Sequence, residues 1–335
     1  MKREDMTSAG APDSGWSSYW AQGHVHSCPT SFSGFYGPNT QALWQRLAAK
    51  LVDTDRVLEL GCGNGGLLTF IAGQLRAGES PRLVGVDAAE LNPSAMRGGG
   101  TGDPDGAGQI TLRASTPFES LEPTREFTAL ISQFAFEYGA TEAAWAAISG
   151  AIAPRCMLCW VVHKRGSRLE QVAQDEALLL RTVLAPDGLL VRASEMLPLL
   201  MHAATEEGRR ALNGNPAAVA VRSHYNAAVS ELIERARALT YGGYAEEVLQ
   251  RLSVLLGGVP QIGISRARVE LQQLDSELSA HLARLDALCA SALDGIAIDQ
   301  YQARLERLGF RAMSISVLSE QGAEMGWVLE GLREQ

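Results

Sequence analysis

Aromatic residues are scarce in this sequence, at 6% of 335 residues, yet six of them fall between Trp16 and Tyr36. Cysteine is scarcer: Cys28, Cys62, Cys156, Cys159 and Cys289 are few and odd in number, which fits a reducing compartment rather than a disulfide scaffold. Basic charge is also short. With 29 Lys+Arg against 38 Asp+Glu the net charge is −9, which disfavours a nucleic-acid backbone as the main partner. No apolar run approaches the roughly 20 residues that span a bilayer, so no membrane segment is expected. The first fifteen residues mix charge with Gly, Pro and Ser and hold no apolar leader, which predicts a disordered start over 1–15 and a cytoplasmic protein.

What is present is an ordinary globular composition, 46% hydrophobic, with length enough for one large domain or two modest ones. Residues 16–55 join the aromatic run to a helical pattern at Leu43, Trp44, Leu47, Ala48 and Leu51. Over 56–164 short apolar runs alternate with helical stretches, predicting strands at 57–60, 83–87, 109–113, 127–132 and 157–163. That alternation implies a parallel sheet with right-handed crossovers. The segment 93–108, dense in Gly, Pro and Asp, reads as a loop where a helix is usual.

From 165 to 308 the pattern is helical, with breaks expected at Pro186-Asp187-Gly188, Asn213 to Pro216, Gly242-Gly243 and Gly257 to Pro260. Leu271, Leu274, Leu278, Leu282, Leu285, Cys289 and Ala292 form a seam of coiled-coil spacing, either internal packing or a homodimer contact. Residues 309–335 carry two short strand patterns, at 312–318 and 326–331, that read as a closing antiparallel hairpin.

The chemistry concentrates in Glu59-Leu60-Gly61-Cys62-Gly63-Asn64-Gly65. A glycine loop between strand and helix lets backbone approach a ligand, with open N–H groups at the helix N-terminus. A Gly-x-Gly pair alone is weak, since dinucleotide enzymes and plain turns share it. Glu59, two residues before the first glycine, and Asp87, ending the next strand where an acid commonly holds a ribose, narrow the choice. With the terminal hairpin, this pattern resembles the class I S-adenosylmethionine-dependent methyltransferases.

The resemblance covers 56–164 and 309–331 and implies a Rossmann-like, mostly parallel seven-stranded sheet. Such a sheet closes with an antiparallel hairpin, here after a large all-helical insertion. It implies S-adenosylmethionine as cofactor and S-adenosylhomocysteine as product. Gly61, Gly63 and Gly65 would line the methionine portion, Glu59 its amino end, and Asp87 with Ala88 the ribose. Where the family often has an acid near adenine this chain has Ser115 and Thr116, either of which could bond the adenine amino group. Gln133 and Phe134 would lie near the transferring methyl. The Asn/Asp-Pro-Pro-Tyr/Phe signature of base and glutamine N-methylation is missing.

For catalysis the candidates are Glu137 and His163 at strand ends, and His24 and His26 in the aromatic run. Glu137 reads as a general base, a holder of a cationic acceptor or a surface helix residue. His163 reads as a base poised near neutrality or as a structural histidine. His24-Val25-His26-Ser27-Cys28 invites a metal, but no partner with suitable spacing follows and no metal is expected. The segment is either an ordinary lead-in or a lid, in which case Tyr19, Trp20 and Tyr36 would contact the acceptor; Tyr138, beyond the fourth strand, is a further acceptor-contact candidate. Cys156-x-x-Cys159 lies on a strand, where positions three apart face opposite sides, and reads as core. The expected activity is methyl transfer to oxygen or nitrogen of an enclosed small molecule or short peptide. The alternatives are a protein or RNA methyltransferase docking through Arg-rich helices (Arg209, Arg210, Arg222, Arg235, Arg237), and a non-catalytic binding protein.

Overall fold

The computed structural model describes residues 15–27, 36–92 and 110–334. The expected disordered start up to residue 14, together with Cys28, Phe32, Phe35 and the Gly-rich segment 93–108, lies outside the described residues. The chain divides into two units, Met1–Glu170 with Ala287–Gln335, and Gln171–Asp286.

The first unit is built on β1 (Arg56–Leu60), β2 (Arg82–Val86), β3 (Ile110–Arg113), β4 (Phe127–Gln133), β5 (Ile152–His163), β6 (Phe310–Glu320) and β7 (Ala323–Arg333). They form one sheet in the order β3-β2-β1-β4-β5-β7-β6. The first five strands are parallel, and β7 runs antiparallel to both β5 and β6. A dinucleotide-binding sheet places its sixth strand parallel beside the fifth. Here the antiparallel β7 takes that place, as the expected hairpin requires.

Central strands are buried on both faces, which is why they read as near-continuous apolar runs. Alternate side chains feed two cores. Leu58, Leu130, Cys156 and Trp160 pack on one face; Val57, Ile131, Cys159 and Val161 pack on the other. Burial pushes the Cys156 thiol up to about 12 and that of Cys159 higher still, so both stay protonated packing groups.

Helices of this unit begin with α1 (Trp16–Ala21), α2 (Pro38–Ala48), α3 (Gly66–Gly73) and α4 (Glu142–Ala151). Proline stands at the first helical position of α2, where its fixed φ suits a helix start and no N–H is lost. The α2 start is held further by the buried carboxylate of Glu320, which accepts from the Thr40 N–H at 2.7 Å and its hydroxyl at 2.8 Å. Thr141 caps α4 by accepting from the Ala144 N–H.

Six helices follow: α5 (Arg168–Val183), α6 (Leu189–His202), α7 (Glu206–Leu212), α8 (Pro216–Ala238), α9 (Tyr244–Ile262) and α10 (Ile264–Ser291). The second unit, all helical, is made from these. Breaks fall where expected except at Gly257 to Pro260, which α9 runs through to end at Gly263 (φ 79°). Its buried stripe of Val248, Leu252, Leu256 and Val259 continues across the glycine pair, so packing overrides their poor propensity. Along the α10 seam Leu271, Leu274, Leu278 and Leu285 are buried within the chain, whereas Leu282 and Cys289 are partly exposed. The arginines are largely spent locally. Arg210 pairs with Glu206 and Arg235 with Glu231, one turn apart, while Arg209 and Arg222 donate to carbonyls of Ala203 and Ala218. The chain returns through α11 (Gly295–Arg307), capped by Asp294, into the closing hairpin. Among the described residues no helix is long and apolar enough to cross a membrane.

Candidate functional site

Strand order reverses between β1 and β4, and ligands of open α/β sheets bind at the carboxyl ends beside such a switch. A cavity of about 440 Å³ opens there, within the size range of small-ligand sites. The glycine loop joins β1 to α3 and turns through positive φ at Gly61 (71°), Gly63 (49°) and Gly65 (85°). Side-chained residues rarely adopt these angles. Four of its N–H groups are engaged within the loop and by the neighbouring strand end. Gly61 and Cys62 both donate to the Val86 carbonyl, Gly65 donates to that of Cys62, and Gly63 donates to Asp87 Oδ2 at 2.8 Å. These bonds hold the tight loop in shape.

Glu59 and Asp87 both reach the cavity wall. Glu59 is 3% exposed, and its Oε2 has no hydrogen-bond partner. Burial, reinforced by the neighbouring Asp87 charge, holds its carboxyl well above the usual carboxylate range. A buried carboxylate oxygen without a donor suits a cationic ligand group, which would restore its charge. Cys62 also lines the wall, its thiol pushed up by the same burial and the same two acids.

Other expected cofactor residues divide. Ala88, Gln133 and Phe134 line the cavity, as does Gly61, whereas Gly63, Gly65, Ser115 and Thr116 do not. The Thr116 hydroxyl donates to the Ala114 carbonyl and its N–H to that of Asp87, so the turn spends this side chain on itself. In place of the two hydroxyls the wall is formed by Pro117 and Phe118, missed because nothing polar flags them. The Gln133 amide oxygen accepts from the Trp44 indole N–H of α2.

The aromatic N-terminal segment lies across the glycine loop. The Asn64 amide donates to the carbonyls of Trp20 and His24, both at 2.9 Å, while its oxygen accepts from the Asn92 N–H. The Trp20 indole sits where a Gly63 Cβ would stand, 2.5 Å from that point, and the Val25 carbonyl lies 2.2 Å from a Gly66 Cβ. Trp16, Trp20, Val25, His26, Ser27 and Tyr36 consequently line the cavity. Tyr19 and His24 do not: they stack at 4.1 Å, and the Tyr19 hydroxyl donates to the His26 carbonyl at 2.7 Å. These two support the segment from behind.

Beyond β4, Phe136–Tyr138 forms a single 3-10 turn. Tyr138 faces the cavity, and its hydroxyl lies 3.1 Å from His163 Nε2. His163 itself is 1% exposed, stacked on Phe134 at 4.6 Å, and desolvation lowers its pKa to about 3. Of its two readings, the structural histidine fits this burial: the imidazole is neutral and touches Tyr138 and Phe134, which line the cavity. Of the three readings of Glu137, the surface helix residue is set aside, since its carboxyl is 7% exposed and raised to about 7 by burial. Its Oε1 accepts from the His163 N–H at 2.7 Å, and it does not line the cavity.

No protein-family model matches the sequence, and no curated protein does. Solved structures resemble it weakly. A Mesorhizobium loti S-adenosylmethionine-dependent methyltransferase is 22% identical over 37% of this chain and 53% of its own, with TM-score 0.28. An Aquifex aeolicus S-adenosylmethionine-dependent methyltransferase is 16% identical over 39% and 67%, TM-score 0.32. A possible exported protein of Bordetella parapertussis is 14% identical over 95% and 79%, TM-score 0.43. The chain spans about half the length of several such structures, 51% to 56%. The assignment of fold rests on the sheet itself. Five parallel strands, an antiparallel β7 between β5 and β6, and a Glu-x-Gly-x-Gly-x-Gly loop at the switch point make a methyltransferase-like α/β fold.

Proposed function

We propose that this protein is an S-adenosylmethionine-dependent methyltransferase acting on an enclosed small molecule or short peptide. The observation that carries the reading is the joint presence of Glu59, with its partnerless Oε2, and Asp87 on one cavity wall beside Gly61. Glu59 would hold the ammonium end of the cofactor, Asp87 the ribose hydroxyls, and Ala88, Pro117 and Phe118 the adenine. When bound, S-adenosylmethionine supplies an electrophilic methyl on a sulfonium.

The chain's own part is positioning and exclusion of water, the main sources of acceleration for an in-line displacement. Trp16, Trp20 and Tyr36 cover the cleft from the N-terminal side. The Tyr138 hydroxyl, fixed by neutral His163, offers an oriented hydrogen-bonding group to the acceptor, and His26 a second one. The local pairing of the helical unit's arginines favours an enclosed acceptor over a docked nucleic acid.

Calorimetric titration with S-adenosylhomocysteine tests the reading. Wild-type protein is expected to bind it, and Asp87→Ala to weaken binding by about ten- to hundredfold, the loss of hydrogen bonds to a charged acceptor. Absence of binding by well-folded wild-type protein overturns the proposal.

A further inference from the structure

The cavity wall is unusual in what it pairs. Six aromatic side chains, Trp16, Trp20, Tyr36, Phe118, Phe134 and Tyr138, line it together with three carboxyl groups, Glu59, Asp87 and Glu119. Among the described residues no lysine or arginine reaches it, although the chain carries 29 of them. In a sequence with 6% aromatics, this concentration answers to something at the site.

The aromatic groups are also held in place. Trp16 stacks on Trp20 at 5.8 Å and meets Tyr138 edge-on at 6.0 Å. Tyr36 lies 6.0 Å from Phe134 and 5.0 Å from His26. Both Tyr36 (φ 36°) and Phe134 (φ 53°) occupy the left-handed region, where a bulky side chain costs about 1–3 kcal/mol. An ordinary wall would not need two strained aromatic residues. Aromatic faces carry negative potential and attract cations, most strongly when water is excluded. An anionic acceptor would meet the opposite: Asp87 and Glu119 on the wall, with neither lysine nor arginine beside them.

We infer that the acceptor is an organic amine, recognised as a cation by the Trp16, Tyr36, Phe134 and Tyr138 cluster and methylated on nitrogen. This rests on the methyltransferase reading and narrows its acceptor. The ammonium form gives up its proton to water before transfer. The nitrogen lone pair then forms the N–C bond as the S–C bond breaks, its electron pair remaining on sulfur. A tertiary amine leaves as a quaternary ammonium, the ion this wall suits best.

Three probes of nearly one shape separate charge from size: choline (cation), 3,3-dimethylbutan-1-ol (neutral) and 3,3-dimethylbutanoate (anion). Each is titrated calorimetrically into full-length protein with and without S-adenosylhomocysteine. Choline is expected to bind about tenfold more tightly than the alcohol, the scale of a desolvated cation–π contact, and the anion not measurably. Trp16→Leu should abolish the preference, and Trp16→Phe should retain most of it. Equal binding of choline and the alcohol, or preferred binding of the anion, overturns the inference. If S-adenosylhomocysteine binds but the preference is missing, the amine acceptor falls alone. If the preference persists but S-adenosylhomocysteine does not bind, the methyltransferase reading falls and a cation-binding site remains.

Discussion

Glu137 and His163 illustrate what burial does to single groups. A carboxyl raised from 4.5 to about 7 keeps its proton in the folded chain at pH values where the unfolded chain has lost it. Stability therefore falls as pH rises from about 4.5 through 7, and the cost, about 3 kcal/mol, is complete above that window. Glu137→Gln keeps an acceptor for the His163 N–H and removes the titration. Urea unfolding should show the variant gaining up to about 3 kcal/mol over wild type at pH 8 and little at pH 5. A gain independent of pH would show that desolvation of the charge is not its source. Neither residue's state was legible in the sequence. Position near a strand end can be counted along the chain, but the packing of Phe134 on His163 depends on β4, β5 and β7 coming together. The glycine loop and Asp87 were legible because their spacing is local.

At the scale of elements, the loop, α3 and the aromatic segment act as one assembly. Gly66 opens α3, where alanine has the better helix propensity by about 1 kcal/mol, and its φ is ordinary. A Cβ there would stand 2.2 Å from the Val25 carbonyl, which is backbone and cannot rotate away. Gly66→Ala should thus displace residues 16–27 without unfolding the sheet. Hydrogen exchange is expected to quicken in that segment while β1 and β4 stay protected; unchanged exchange would disprove the docking. The aromatic run marks the segment as a possible lid, but nothing in the sequence marks its anchor, because Asn64 looks like one more loop residue. The opposite failure occurred in α9, where a Gly-Gly-Val-Pro run reads as a break and the buried stripe carries the helix through. Local propensity names turns well when nothing packs against them, and badly when something does.

For the whole molecule, the two units have different spectroscopic signatures. All six tryptophans, at 16, 20, 44, 145, 160 and 327, belong to the unit that holds the sheet, whereas helices dominate the other. Tryptophan emission therefore follows the first unit, and far-ultraviolet ellipticity mainly follows the second. Units of this size usually unfold as separate cooperative blocks, so the two signals should give different urea midpoints. A single coincident transition would contradict that. The hairpin that closes the sheet has a further consequence. β5 pairs with β7 from Cys156 against Arg333 to His163 against Gly326, so its outer edge waits for a strand that follows the whole helical unit. During synthesis at about 5–20 residues per second, β5 must spend many seconds with a row of unpaired backbone groups while the helical unit emerges. An unpaired strand edge of that kind invites pairing with other chains. The order of the strands thus gives a nascent-chain liability, greatest between the emergence of β5 and the arrival of β7.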